Sequence, residues 1–148
     1  MNKTPYMSIL NRILVVAILL VGFTNASAQC RNFAQKNCVP ELGDYRPNGS
    51  LYSTYMENDQ ETELNLVLIG GQKYRLIHCH KKGLGNVWIQ LFDKQGNLIY
   101  DNSEHDFATS WDFSVKATQE FTIKTFISGI GDKDTRNCAV LLLGNKFN

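Results

Sequence analysis

Several signatures of catalysis and of nucleic-acid binding are missing from this sequence. It contains no G-x-S-x-G nucleophile elbow and no H-E-x-x-H zinc motif, and its four cysteines include no C-x-x-C pair. The only adjacent basic residues are Lys81-Lys82, so the basic patch that nucleic acids require is also absent. These absences predict a protein that is not an enzyme and has neither a cofactor nor a nucleic-acid partner.

An apolar run long enough to cross a membrane is lacking too. Ile13–Phe23 is the longest candidate, and it is shorter than the roughly 20 residues that a spanning helix needs. Arg12 precedes this run, and Ala26-Ser27-Ala28 follows it with the small-residue pattern that signal peptidase cleaves. We therefore predict a cleaved signal peptide over residues 1–28, followed by one domain over residues 29–148.

Removal of this leader leaves a nearly neutral chain, so electrostatics identifies no partner. Without Lys3 and Arg12 the sequence has 13 basic and 14 acidic residues. Cys30 follows the apolar run, but lipidation would require a small residue immediately before it, and that residue is Gln29. We expect a soluble protein in the periplasm or outside the cell.

The four cysteines, Cys30, Cys38, Cys79 and Cys138, all lie in the exported part. An even number of cysteines outside the cytosol predicts two disulfides, and four thiols permit three connectivities. We favour Cys79–Cys138 with Cys30–Cys38 as a local link. A continuous helix would hold the latter pair roughly 12 Å apart, too far for a bridge. The alternative is that both N-terminal cysteines pair with the two strand cysteines.

Hydrophobic alternation with a period of two dominates the chain after residue 50. It predicts strands from Leu51 onward and over residues 64–68, 73–79, 87–92, 98–100, 111–115, 121–125 and 138–143. The last run is apolar on both faces and is expected at the centre of a sheet. Glycines at 70–71 and 96 predict two hairpins. Residues 30–42 predict a short helix or turn, and residues 43–50 a loop.

The fold class follows from this pattern. Seven or eight short strands without helical periodicity predict an all-β antiparallel β-sandwich, of jelly-roll or immunoglobulin-like kind, with a short N-terminal helix or turn.

Aromatic residues offer the best indication of a binding surface. Six tyrosines and two tryptophans are many for this length, and planar rings can stack on sugars or proline-rich peptides. We predict Tyr52, Tyr55 and Tyr100 as exposed binding residues. Trp111 lies on the apolar face of its strand and is assigned to the core.

Metal binding has two weaker candidates. His78 and His80 point to the same face of a strand, and His105 could add a third ligand from a loop. Asp132 and Asp134 lie in a glycine-rich loop that could supply oxygens to calcium, but the spacing of a calcium-binding loop is absent. We predict no metal site.

Five segments carry a resemblance to a known group of proteins. They are GQKYRLIHC at 71–79, LGNVWIQLFD at 84–93, LIYDNS at 98–103, WDF at 111–113 and NCAVLLLG at 137–144. Together they resemble uncharacterised exported β-sandwich proteins of Gram-negative bacteria and, more distantly, the pre-peptidase C-terminal type of sandwich domain. The resemblance spans residues 64–144 and implies a single all-β export domain without catalytic residues.

The sequence thus predicts an exported, non-enzymatic β-sandwich protein that acts by surface binding to a protein or to a cell-envelope glycan. The alternative is a carbohydrate-binding module that uses exposed aromatic residues.

Overall fold

Eight antiparallel strands form two four-stranded sheets in the computed structural model, which describes residues 25–56, 59–82, 84–128 and 137–147. The strands are β1 (Arg46–Met56), β2 (Glu61–Leu68), β3 (Gln72–His80), β4 (Val87–Asp93), β5 (Leu98–Asp101), β6 (Ser110–Val115), β7 (Gln119–Ile127) and β8 (Asn137–Phe147). Sheet A has the order β1-β8-β3-β6, and sheet B the order β2-β7-β4-β5. No helix among the described residues is long and apolar enough to span a membrane.

This strand order confirms the predicted β-sandwich and is that of a jelly roll, in which eight strands form two facing sheets through two Greek keys. Consecutive strands therefore often lie in different sheets. Gly70-Gly71 does not form the predicted hairpin, because β2 belongs to sheet B and β3 to sheet A. A Cβ atom on Gly70 would lie 2.8 Å from the backbone of Ala117, so this crossing has no room for a side chain.

The second predicted hairpin is confirmed, since β4 pairs with β5 across the turn at residues 93–97. The Asp93 carboxylate accepts hydrogen bonds from the backbone N–H groups of Gln95 and Asn97, both at 2.9 Å. Gly96 takes a φ of 82°, which glycine adopts without steric cost. The side-chain hydrogen bond from Asn97 is the main reason that the pKa of Asp93 lies below its usual value.

The main core lies between the two sheets and is built by alternation along each strand. Its buried residues on β3, β4 and β7 include Tyr74, Leu76, Ile89, Leu91, Phe121, Ile123 and Ile127. Trp111, Phe113 and Val115 of β6 also face this core, as their spacing predicts.

A second core lies on the outer face of sheet A. Residues 25–42, here called the N-terminal segment, form helix α1 (Asn25–Phe33), a π-helical turn (Ala34–Cys38) and a 3₁₀ turn (Val39–Leu42). Ala34 and Leu42 pack against Ile77 and Leu142 of the sheet. β8, buried on both faces between β1 and β3, is the central strand that its apolar run predicts.

Both disulfides join the N-terminal segment to sheet A. Cys30 pairs with Cys138 and Cys38 with Cys79, at Cα–Cα distances of 5.4 and 6.0 Å. The favoured pairing of Cys79 with Cys138 and of Cys30 with Cys38 is therefore wrong, and the alternative pairing is the one observed. Cys79 lies opposite Val140 in the β3–β8 register, so Cys138 is a diagonal neighbour, roughly 7–8 Å away and beyond easy bridging.

The predicted loop and the predicted signal peptide lie at either end of the N-terminal segment. The predicted loop at residues 43–50 is shorter than expected, because β1 already begins at Arg46. The predicted signal peptide lies outside the described residues except for residues 25–28, which form the first turn of α1.

Candidate binding surface

The N-terminal segment packs against β1, β3 and β8 of sheet A. Within the described ranges, no helix or turn of this segment packs in the same way on sheet B. Alternation along the strands places one set of side chains in the core and the other set on this outer face. We call the outward residues that align across all three longer strands of sheet B the open face. It consists of Glu61, Glu63, Asn65, Trp88, Gln90, Phe92, Thr122, Lys124 and Phe126.

Strand register arranges these nine residues in three rows across β2, β7 and β4. The rows are Glu61–Phe126–Trp88, Glu63–Lys124–Gln90 and Asn65–Thr122–Phe92. The open face therefore has an aromatic row at one end, a charged row in the middle and a mixed row at the other end.

The aromatic row is a partly exposed ring cluster. Trp88 is 37% exposed, and its ring centroid lies 6.4 Å from that of Phe126 in an edge-on arrangement with an interplanar angle of 87°. Phe107, from the loop after β5, adds a third ring at 5.6 Å. Edge-to-face geometry is one of the two arrangements that aromatic pairs favour. A groove of about 200 Å³ borders the cluster and is also lined by Glu61, Gln90 and Lys124.

The charged row is held by contacts between neighbouring strands. Lys124 Nζ lies 3.7 Å from Glu63 Oε2 and 5.8 Å from the centroid of the Phe92 ring. Gln90 Nε2 donates a 2.7 Å hydrogen bond to Asp101 Oδ2. Burial raises the pKa of the Asp101 carboxyl, but hydrogen bonds from Gln90 and Ser103 outweigh it and lower the pKa overall. Asp101 thus stays ionised beside the open face at neutral pH.

A second groove, of about 470 Å³, borders the charged and mixed rows and is lined by residues that include Asp93, Lys94 and Glu120. The two grooves together are lined by four carboxylates (Glu61, Glu63, Asp93, Glu120) and two ammonium groups (Lys94, Lys124). This acidic excess favours a ligand that carries positive charge.

The residues predicted to form an aromatic binding surface do not lie on the open face. Tyr52 and Tyr55 belong to β1 in sheet A, and their side chains are outside the described part of the structure. Tyr100 is only 7% exposed, so its predicted exposure is wrong. Tyr100 lies opposite the core residue Leu91 in the β4–β5 register and therefore points inward.

Tyr100 belongs to a stack of rings at the side of the sandwich where β5 and β6 are the edge strands. Its ring lies 5.4 Å from His105 and 4.1 Å from Trp111, and Phe113 follows Trp111 at 4.3 Å. The end of this stack is Tyr74, 5.6 Å from Phe113. The stack closes this side of the core, so these aromatic rings have a structural role.

His78 and His80 lie on the same face of β3 but differ in burial. His78 points into the core, where its Nε2 donates to the carbonyl oxygen of Ala108 at 3.2 Å, and burial lowers its pKa to about 4. His80 lies parallel to it, at 6.3 Å between centroids. Within the described ranges no three histidine, cysteine or acidic side chains are placed to hold a metal. Asp132 and Asp134 lie outside those ranges.

Comparisons with known proteins bear on the fold. No protein family and no curated protein matches the chain. Among solved structures, the chain is similar to PliG of Aeromonas hydrophila, a periplasmic lysozyme inhibitor of g-type lysozyme. The TM-score is 0.50 with 14% sequence identity, covering 66% of this chain and 85% of that one. At this identity the likeness shows a shared β-sandwich fold.

Proposed function

We propose that this chain is an exported, non-enzymatic protein that binds a basic protein partner through the open face of sheet B. The observation that carries the proposal is the aromatic row, whose Trp88 is 37% exposed on the open face. The two grooves on this face are together lined by more carboxylates than ammonium groups. Tryptophan is enriched among the residues that dominate protein–protein affinity, and complementary charge favours specific encounter.

Export is supported by the predicted leader and by the two disulfides, which persist in oxidising compartments. The resemblance of residues 64–144 to exported β-sandwich proteins belongs to the same proposal.

A lysozyme is the first partner to test. The supporting observation is the fold shared with a periplasmic inhibitor of g-type lysozyme. Binding to such an enzyme would place a non-catalytic sandwich against a catalytic protein, so the expected activity of this chain is inhibition.

The experiment measures binding and inhibition together. Residues 29–148 with both disulfides formed are titrated calorimetrically against a g-type lysozyme, and lysis of cell walls is followed by turbidity. We expect Trp88→Ala to weaken both effects ten- to a hundredfold, the range of an interface hot spot. Phe147→Ala is the matched control, because Phe147 is 69% exposed but lies on sheet A. Equal effects of the two variants, or no binding to the lysozyme or to other basic proteins, would contradict the proposal.

A glycan ligand is the second candidate, and one observation favours it. Trp88 and Phe92 lie on the same face of β4 with the amide of Gln90 between them, which places two ring platforms roughly 13 Å apart on either side of a hydrogen-bonding group. Soluble peptidoglycan fragments and a glycan array test this function. Glycan binding that Trp88→Ala and Phe92→Ala each abolish, without lysozyme binding, would select it.

A further inference from the structure

Two side-chain clusters in this protein place a cation against both an aromatic ring and a carboxylate. On sheet A, Arg75 Cζ lies 4.5 Å from the centroid of Tyr45, and the same guanidinium donates two 2.7 Å hydrogen bonds to Asp112. On sheet B, the ammonium group of Lys124 lies 5.8 Å from the centroid of the Phe92 ring and 3.7 Å from the Glu63 carboxylate. Both clusters combine cation–π attraction with an ion pair.

A third juxtaposition of rings and carboxylate lies at the end of the open face. Glu61 is the direct cross-strand neighbour of Phe126, and Phe126 is the direct neighbour of Trp88. Directly opposite residues in an antiparallel pair have Cβ atoms about 5 Å apart, so the carboxylate borders the ring cluster. Within the described part of the chain no basic side chain forms an ion pair with Glu61.

We propose that the groove formed by Glu61, Trp88 and Phe126 binds a side-chain cation of the partner, with arginine preferred over lysine. This inference rests on the proposed function and specifies the chemistry of one contact in it. A planar guanidinium can stack on an indole ring and also donate to a carboxylate, whereas an ammonium acts as a compact point charge. The groove has a volume of about 200 Å³, and its lining residues are Glu61, Trp88, Phe126, Gln90 and Lys124.

Among the described basic residues, Lys124 is the one that lines this groove. Its ammonium group lies between Glu63 and Phe92, one row away from Glu61. This placement leaves the Glu61 carboxylate to the partner. It also makes Glu63 unsuitable as a control position, since its replacement would release Lys124.

The test uses a small arginine probe, so that it does not depend on knowing the partner. Nα-acetyl-arginine methylamide is titrated into ¹⁵N-labelled protein, and its neutral analogue Nα-acetyl-citrulline methylamide is titrated in parallel. The chain has two tryptophans, and their indole N–H signals are assigned with Trp88→Phe. We expect a saturable shift of the Trp88 indole with the arginine probe only, while the indole of Trp111 stays in place.

Two variants test the carboxylate. Glu61→Gln is expected to weaken binding of the arginine probe about two- to fivefold, the range of an exposed charge contact. Glu41→Gln is the matched control, because it removes an exposed carboxylate of the N-terminal segment, which packs on sheet A, and we expect less than a twofold change. Dispersed amide spectra verify that each variant is folded.

The outcomes separate this inference from the proposed function. Equal shifts with the arginine and citrulline probes, or equal effects of the two variants, overturn the cation site even if a protein partner binds through Trp88. Probe binding that depends on Glu61 supports the cation site. Failure of every basic protein to bind overturns the proposed function instead.

Discussion

Asn102 and His78 connect elements of the two sheets at the end of the core. Asn102 is fully buried; its Oδ1 accepts from the Ile89 N–H at 2.8 Å, and its Nδ2 donates to the Val87 carbonyl at 2.9 Å. The Nε2 atom of His78 lies 3.4 Å from Nδ2 of Asn102. The Nδ1 atom of His78 has no hydrogen-bond partner among the described residues. This environment favours the neutral imidazole, because burial penalises the charged form.

Stability should therefore fall on acidification as His78 is forced to accept a proton. Its pKa is lowered from 6.5 to about 4, so the unfolded chain binds more protons than the folded chain between these values. The stabilising contribution is fully present above pH 6.5 and decreases as the pH falls towards 4, by about 3 kcal/mol at most. Urea unfolding from pH 7.5 to 4.5 measures this loss.

The matched variants for that experiment are His78→Gln and His80→Gln. We expect the pH dependence between 6.5 and 4 to decrease in the first and to persist in the second, since His80 is only partly buried. Identical pH profiles for the wild type and His78→Gln would show that His78 does not control acid stability.

Residue spacing alone placed His78 and His80 on one face of a strand, and the parallel rings agree with it. Spacing could not show that β5 directs Tyr100 inward, because that depends on its register with Leu91. For the same reason, the residues of the open face could not be identified from the sequence. The run VWIQLF is apolar at nearly every position, so its pattern does not distinguish the outward Trp88 and Phe92 from the inward Ile89 and Leu91.

At the scale of elements, the N-terminal segment is the part of the fold that depends most on covalent links. The Cys30–Cys138 bridge spans a sequence separation of 108 residues and Cys38–Cys79 one of 41. Gly144 permits the close approach of the segment, since a Cβ atom there would lie 2.7 Å from a methyl carbon of Leu42. Helix α1 has only nine residues, too few for a stable isolated helix.

Replacing one cysteine pair by alanine is therefore expected to destabilise the protein strongly. Chain entropy gives a loss of about 5 kcal/mol for the Cys30/Cys138 pair and about 4 kcal/mol for the Cys38/Cys79 pair. Guanidinium unfolding of the two double variants, with thiol counting by mass spectrometry, measures these losses. Unfolding free energies within 1 kcal/mol of the wild-type value would contradict a stabilising role of the bridges.

The existence of these elements was predictable, but their partners were not. The helix or turn before residue 42, the two bridges and the eight strands follow from local patterns of cysteine and apolar residues. The pairing of Cys38 with Cys79 depends on which face of β3 meets the N-terminal segment, and no local pattern encodes that. For the same reason, Gly70-Gly71 resembled a hairpin turn although it joins two sheets.

For the whole molecule, the central strand β8 and the edge strands of sheet B differ in how completely they are buried and paired. β8 is buried on both faces and paired on both edges, by β1 and β3. β2 and β5 each pair with a single strand and are the edges of sheet B. Local opening costs least where few apolar contacts and few ladder hydrogen bonds must be broken.

Hydrogen exchange should reveal this difference directly. We expect the backbone amides of residues 139–143 to exchange last, at rates set by global unfolding, and those of β2 and β5 to exchange orders of magnitude faster. Measurement by NMR in native buffer checks this order. Uniform protection of β2 and β8 would contradict the expected difference between edge and central strands.

Attachment of the N-terminal segment to sheet A has a practical consequence for handling the protein. A tag or surface linker fused ahead of residue 29 emerges beside Cys30, whose bridge to Cys138 fixes it on the side of the sandwich opposite sheet B. Immobilisation through that end presents Trp88 and its neighbours to the solution. Such an orientation suits capture experiments from envelope extracts.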